Sequence, residues 1–311
     1  MNVNFEDAER KQSKASIVIQ GLSGSGKTGL ALMLARCLTD DWSTVYCLDS
    51  ENRSMDLFEG ITLSNGEKCT KFKKFDLTED DGYAPSNYID VRDAAVKAGA
   101  TVFIQDSTTQ AWSGKGGVLD LVASVDSSNT KNISSWNDPT VVVEKQILGS
   151  RMWRDTRCHM ISTVRMKEKI GFTEDNKVIK VGEQPIMQDQ VKYEPDLIIH
   201  MVKAGTPDGD APIGTIEKSR YAILRVGETY SFTEDLCKQI KEYLDEGAAP
   251  EVLLERQKNN MVTSVSDLLS KDKTKVIPFK MFKKNHGYAD DAKLTDMNLE
   301  DLNKLYKLLF N

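Results

Sequence analysis

Eight consecutive residues, Gly21-Leu22-Ser23-Gly24-Ser25-Gly26-Lys27-Thr28, carry the clearest chemistry in this chain. They fit the spacing G-x-x-x-x-G-K-[ST], in which each residue type has a task. Gly21, Ser23, Gly24, Ser25 and Gly26 form a cradle whose glycines let the backbone curl around phosphates. Lys27 is expected to reach the β- and γ-phosphates, and the Thr28 hydroxyl to bind Mg²⁺. An apolar run, Ser16-Ile17-Val18-Ile19-Gln20, enters the loop, and a helical run from Lys27 to Leu38 leaves it. That order aims the free N–H groups of a helix N-terminus at an anion. The implied ligand is ATP with Mg²⁺.

Hydrolysis needs a second acid for the metal and a group that orients or deprotonates water. Thr101-Val102-Phe103-Ile104-Gln105-Asp106-Ser107 reads as a buried strand with Asp106 at its C-terminal end. Ligands bind at such ends in open α/β sheets, so Asp106 is expected to hold Mg²⁺ through water. Val45-Tyr46-Cys47-Leu48-Asp49-Ser50-Glu51-Asn52 ends the strand after the phosphate-loop helix, whose tip is expected beside the loop with Glu51 facing the γ-phosphate. Asp49 either orients neighbouring loops or is structural.

The elements around these residues alternate between strand-like and helical runs from 15 to about 232, which predicts an α/β domain with a largely parallel sheet. The strand candidates are 16–20, 44–48, 101–105, 158–164, 196–202 and 215–224. The helix after the loop is apolar nearly all round, as expected of one packed between sheet and protein. Asp138-Pro139 supplies an N-cap and an N1 proline for a helix through about Arg154. Residues 168–182 read as a β-hairpin turning near Asp175-Asn176. After 233 the texture is helical, with helices at 234–246 and 250–261 and a final amphipathic helix capped by Asn298. The expected organisation is an arm at 1–14, the α/β domain at 15–232 and a small helical region at 233–311.

Composition sets wider bounds. The chain has 311 residues, 40% hydrophobic and 28% charged, which is ordinary for a globular protein. No apolar run approaches a membrane span, and the polar, acidic N-terminus is not a secretory signal, so a cytoplasmic location is expected. Cys37, Cys47, Cys69, Cys158 and Cys237 lack C-x-x-C spacing and read as buried thiols. The net charge of −6 gives no global field for nucleic acid, so any such surface must be local. His159, His200 and His286 carry no ligand spacing; the first two read as strand residues.

The order strand, phosphate loop, helix, strand, Asp-x-Glu resembles the RecA-like P-loop ATPases, which share an Asp-Ser pair like Asp106-Ser107. Ser162-Thr163-Val164-Arg165-Met166-Lys167 resembles the strand leading into their DNA-binding loop. Residues 15–225 are more closely similar to phage-type AAA ATPases of that group, linked to single-strand annealing and recombination. Ala111-Trp112, Gly117-Val118-Leu119-Asp120, Ser135-Trp136, the run 159–167, Val181-Gly182, Gln188-Asp189, 193–197 and Lys218-Ser219-Arg220 carry this likeness. The resemblance implies that Glu51 activates water. It also implies that Lys218 and Arg220, two apart on a late strand, reach a neighbouring subunit's γ-phosphate; a solvated basic strand edge is the plainer reading. RecA-like recombinases sense the γ-phosphate through an amide at the end of the fourth strand, where this chain has Thr163, or Ser162 if the register slips.

By that likeness the partners are single-stranded DNA, further copies of the chain in a ring or filament, and a single-strand-binding or replication protein at the C-terminal region. The setting would be the cytoplasm of a phage's bacterial host. Lys167, Lys169, Lys177 and Lys180 on the hairpin could contact DNA while Phe172 stacks on a base; a solvated hairpin is the alternative. Residues 271–284 place six lysines against one acid around Phe279 and Phe282, which suits either phosphate tracking or a helix with a core-facing side. Phe5-Glu6-Asp7-Ala8 resembles a recombinase docking segment over four residues, with a frayed terminus as the default reading. A helicase or helicase loader, and a nucleotide-switched scaffold, are the competing functions.

Overall fold

The computed structural model describes residues 7–125, 135–172, 178–206 and 210–310. Two compact units are present, one formed by Ser13–Leu244 and the other by Met1–Gln12 with Asp245–Asn311.

In the larger unit the phosphate loop hangs between β1 (Ser16–Gly21) and α1 (Lys27–Thr39), as expected from the local pattern. The following strands are β2 (Val45–Asp49), β3 (Lys73–Asp76), β4 (Val102–Asp106), β5 (His159–Phe172), β6 (Val178–Pro185), β7 (Leu197–Lys203), β8 (Ile213–Ser219) and β9 (Thr229–Ser231). They form one sheet in the order β3-β2-β4-β5-β1-β7-β8-β9, with β6 attached to β5. The six strands from β3 to β7 run parallel, while β8 is antiparallel to both of its neighbours. The expected α/β class with a largely parallel sheet is therefore what the chain adopts.

Both faces of the central strands are buried, and their side chains alternate between the faces with the period of two that a pleated strand imposes. Ile17, Ile19, Cys47, Ile104, Ile161 and Ile199 face the side covered by α1 and by α6 (Glu234–Asp245). Val18, Leu48, Phe103, Met160 and Ile198 face the other side, with α2 (Pro85–Lys97) and Trp153. Helix α1 buries residues around its whole circumference, including Leu30, Leu32, Leu34 and Leu38. Completing this unit are α3 (Thr109–Ser113), α4 (Val118–Val125) and α5 (Pro139–Gln146). Asp138 caps α5 by accepting from Thr140 N and Val141 N.

Several expectations need correction. The strand at 215–224 ends at Ser219; a turn follows, so Arg220 lies outside the strand. Helix α5 stops at Gln146 and continues only as one π turn, 147–151. The short edge strand β3 and helix α2 had no clear signal, because Lys73-Lys74-Phe75-Asp76 is mostly polar and α2 carries few apolar residues. Helix α6 was expected in the C-terminal region, but Cys237, Ile240 and Leu244 are buried in the core of the larger unit.

The smaller unit holds α7 (Pro250–Lys271), α8 (Val276–Asn285) and α9 (Leu299–Phe310). Helix α7 runs ten residues past its expected end. Asn298 caps α9 as expected, its side chain accepting from Asp301 N at 2.8 Å. The core is Val265, Phe282, Met297, Leu302, Leu305 and Leu309, with Phe279 packed against it. The two phenylalanines of 271–284 thus serve the core. Lys283 is also buried and donates to Asp290 O and Ala292 O, while Lys271, Lys273, Lys280 and Lys284 remain exposed. Residues 10–12 of the N-terminal arm lie along 245–248 through an Arg10–Glu246 ion pair and a Lys11–Ala248 bridge. Phe5 and Glu6 of the docking-like segment lie outside the described residues, as does the expected hairpin turn at Asp175-Asn176.

All five cysteines are free and buried. Among the described residues no helix is long and apolar enough to cross a membrane.

Candidate nucleotide site

The phosphate loop adopts a conformation that its glycines make possible. Gly24 and Gly26 sit at φ 75° and 88°, a left-handed region that other residues rarely enter. Gly26 is also pressed against its surroundings: an added Cβ would stand 2.7 Å from Ala204 Cβ. Beyond it the first-turn N–H groups of α1, starting at Lys27, lack intrahelical acceptors and carry the positive end of the helix dipole. Lys27 Nζ donates to Gly21 O at 3.2 Å and Leu22 O at 2.9 Å. Burial lowers its pKa, Glu51 and Asp106 pull it back up, and Arg165 adds to the lowering.

Parallel register brings the acids to the same end of the sheet. Asp49 and Asp106 are direct partners across β2 and β4, so Glu51 and Asp106 both arrive at the loop's end. Asp106 is 1% exposed and accepts from Thr28 Oγ1 at 2.6 Å and from Thr163 Oγ1. Burial pushes its pKa up to about 6; the hydrogen bonds from Thr163 and Thr28 oppose this, and the charges of Glu51 and Asp49 add to it. A hydroxyl beside a carboxylate is a hard-oxygen donor set, the kind Mg²⁺ takes together with phosphate oxygens and water. Thr28 and Asp106 fit that ion. Among the described residues no cluster of three or more His, Cys, Asp or Glu could hold a metal by itself.

Asp49 is buried and accepts from Glu51 N at 2.7 Å and Met55 N at 2.8 Å. Its two bonds shape the turn that presents Glu51, so of its two readings the structure favours the orienting one. Burial nonetheless raises the Asp49 pKa, only partly offset by those N–H groups. Ser50 braces the turn from the other side: it bonds Ser107 O at 2.8 Å and accepts from Ser107 N at 3.0 Å.

Glu51 lines a cleft of about 440 Å³ together with Ser23, Gly24, Gly26, Lys27, Thr28 and Arg165. That volume suits a small-molecule ligand. Arg165 Nε donates to Glu51 Oε1 at 2.7 Å. Burial works against the Glu51 charge, but the hydrogen bond and charge of Arg165, with help from Lys27, hold its carboxyl below the usual range. Sequence reasoning did not single out Arg165. The one signal for it is positional: it is the β5 partner of Gly21, the first residue of the loop, a fact that only the register supplies.

Thr163 and Ser162 do not face the cleft as phosphate sensors. Thr163 is fully buried against Asp106, and Ser162 Oγ accepts from Gln105 Nε2 at 3.1 Å. Lys218 and Arg220 are not gathered into this site either. Ser219 is level with Leu197 and, through it, with Ile17, four residues before Gly21 and roughly 13 Å away along the strand. Lys218 Nζ donates to Lys192 O at 3.0 Å and Tyr193 O at 2.6 Å, and Arg220 pairs with Asp196 at 2.9 Å. Both side chains are engaged within their own chain, at the end of the sheet away from the loop.

The hairpin begins at the cleft. Arg165 and Met166 line the cleft, and β5 then leaves the sheet to pair with β6 from Met166–Pro185 to Phe172–Val178. Lys167 and Lys169 are exposed, and Lys180 pairs with Glu168 at 2.7 Å. Lys177 lies outside the described residues, as does the side chain of Phe172. Over 166–186 four lysines meet four acids (Glu168, Glu174, Asp175 and Glu183), so the arm carries no net positive charge. His159 is a core residue as expected: its Nδ1 accepts from Ala15 N at 3.0 Å, and burial lowers its pKa to about 3.

The adenylylsulphate kinase family model matches residues 13–77 of this chain. The match spans β1, the phosphate loop, α1, β2 and β3, which is about a fifth of the sequence. No curated protein matches the chain. Loop, sheet and family likeness agree on an α/β P-loop NTPase fold that binds a nucleotide, and on a nucleotide-utilising enzyme of the kinase or NTPase kind.

Proposed function

We propose that this chain is a RecA-like ATPase that hydrolyses ATP with Mg²⁺ and acts on single-stranded DNA in recombination, annealing or replication. The observation that carries the reading is Glu51, a carboxylate braced by Asp49 and facing the cleft that Lys27 and Thr28 line. In this reading Thr28 and Asp106 hold Mg²⁺, which draws charge from the phosphates when bound. Lys27 binds the β/γ-phosphates. Glu51 takes a proton from the attacking water as the water oxygen bonds to the γ-phosphorus. The bond from that phosphorus to the bridging oxygen breaks, and ADP leaves with the electron pair. The hairpin supports the DNA half of the proposal, because Lys167 and Lys169 follow directly on cleft residues. With no net positive charge there, affinity would rest on local cations and stacking.

A second reading draws on the family likeness: phosphoryl transfer to a small acceptor such as adenylylsulphate. The matched segment contains the phosphate cradle, which hydrolysis and transfer share.

One experiment separates them. Phosphate release from Mg·ATP is measured alone, with an oligo-dT, and with adenylylsulphate, using Lys27→Ala as the blank. Release that the oligonucleotide stimulates supports the proposal. ATP consumption that depends on adenylylsulphate, without phosphate release, replaces it with a kinase. Unstimulated slow release directs attention to a helicase-loader or scaffold role, which strand-displacement and pull-down assays then test.

A further inference from the structure

Phosphoryl transfer needs a cation for the charge that builds on the γ-phosphate oxygens. The likeness to ring-forming ATPases implies that a neighbour's Lys218 and Arg220 supply that cation. From the geometry we infer a different source: Arg165 of the same chain is the catalytic cation, acting in cis on the γ-phosphoryl group. The inference rests on the ATPase reading above.

Three observations carry it. Arg165 lines the cleft with Lys27 and Thr28, and its backbone is paired with Gly21 at the start of the phosphate loop. Only its Nε is bonded, to Glu51; among the described residues no partner takes the two terminal nitrogens. The side chain is 41% exposed, so half of a guanidinium fork is open to a ligand. Such a fork matches two oxygens of one phosphoryl group. Lys218 and Arg220, by contrast, spend their donors on Lys192 O, Tyr193 O and Asp196.

Lys27 and Arg165 also place two mutually repelling cations on one cleft. An entering polyphosphate relieves that repulsion. The Arg165–Glu51 ion pair then has two uses. It keeps the guanidinium aimed into the cleft, and it keeps Glu51 a carboxylate until water and γ-phosphate are both present. As the transition state forms, negative charge grows on the γ-oxygens while Glu51 takes up a proton and loses its own charge. Arg165 can therefore shift its interaction from Glu51 to the phosphoryl group during the step, with no change in the number of charges in the site.

The test uses the full chain, Arg165→Ala and Arg165→Lys, with Lys27→Ala as blank. For Arg165→Ala, kcat for ATP should fall roughly 10²- to 10³-fold, toward the loss known for removing an arginine finger. ADP, which has no γ-phosphate, should bind within about threefold of wild type, showing that the variant is folded. Millimolar guanidine should restore part of the Arg165→Ala rate, which a structural defect would not allow, and Arg165→Lys should retain more than Ala. Mixing Arg165→Ala with Lys27→Ala subunits should give no recovery, because each intact cleft still lacks its own arginine. Recovery on mixing would overturn the inference in favour of an arginine acting across subunits. A kcat within threefold of wild type, or no guanidine rescue, would overturn it outright while a zero Lys27→Ala blank left the ATPase reading standing. If the wild-type chain released no phosphate, the ATPase reading would fail and the inference with it.

Discussion

His159 gives a pH dependence of stability whose size can be worked out. The imidazole is 5% exposed, accepts from Ala15 N, and has its pKa lowered from 6.5 to about 3, first by burial and then by Lys14 and Lys241. The folded chain therefore resists protonation at a site where the unfolded chain accepts a proton. Stability is flat above pH 6.5 and falls as pH drops from 6.5 toward 3, because the unfolded state binds more protons there. Between pH 7.5 and pH 5 the linkage amounts to about 2 kcal/mol, with each pKa unit worth about 1.36 kcal/mol. For a unit of this size that is roughly 4–8 °C in Tm. Other groups titrate over the same range, so the informative quantity is a difference. His159→Asn retains an acceptor near the Nδ1 position but does not titrate. Its loss of stability from pH 7.5 to pH 5 should be smaller than wild type's by about 2 kcal/mol, whatever its absolute stability. Urea unfolding followed by tryptophan fluorescence reads the larger unit alone, since Trp42, Trp112, Trp136 and Trp153 all lie within it. Equal slopes for the two proteins would refute the reasoning and place a proton or a water at the imidazole in the folded state.

Four further outcomes can be checked directly. Glu51→Gln should bind ATP at least as tightly as wild type but lower turnover roughly 10²- to 10⁴-fold, as loss of a general base does; nucleotide binding and phosphate release measured side by side decide it. Asp49→Ala frees Glu51 N and Met55 N, so kcat should drop while ADP affinity stays near wild type; an equal loss in both would mean the turn also builds the binding site. Gly26→Ala forces a Cβ against Ala204 at φ 88°, and ATP affinity should fall at least about tenfold by calorimetry. Phe282→Ala removes the ring from the core of the smaller unit, at about 3–5 kcal/mol. Hydrogen exchange over 261–310 should accelerate, while exchange in β1 and β4 should not.

What the sequence determined by itself was local and periodic. The phosphate loop is legible because its chemistry lies in consecutive residues flanked by a strand and a helix. The unbroken apolar run Ile17-Val18-Ile19 announces a strand with two covered faces. Asp138-Pro139 and Asn298 announce helix starts, since caps act on their nearest N–H groups. Glu51 and Asp106 were readable as strand-end acids, but only on the assumption that their strands run side by side toward the loop.

The tertiary structure decided whatever depends on register between distant strands. Arg165 lies more than a hundred residues beyond the loop in sequence, yet it faces Glu51 because β5 is inserted between β1 and β4. The same insertion buries Thr163 against Asp106. Antiparallel β8 carries Lys218 and Arg220 to the end of the sheet opposite their own phosphate loop, where backbone carbonyls and Asp196 bind them, so any phosphate they reach belongs to another subunit. Phe279 and Phe282 were open between a stacking surface and a core until α9 packed against them. Side-chain type states what a residue can bond, and short-range spacing states which element carries it. Which groups then meet is fixed by strand order and helix packing, where burial of apolar area is the governing energy and a single apolar stripe fits more than one partner.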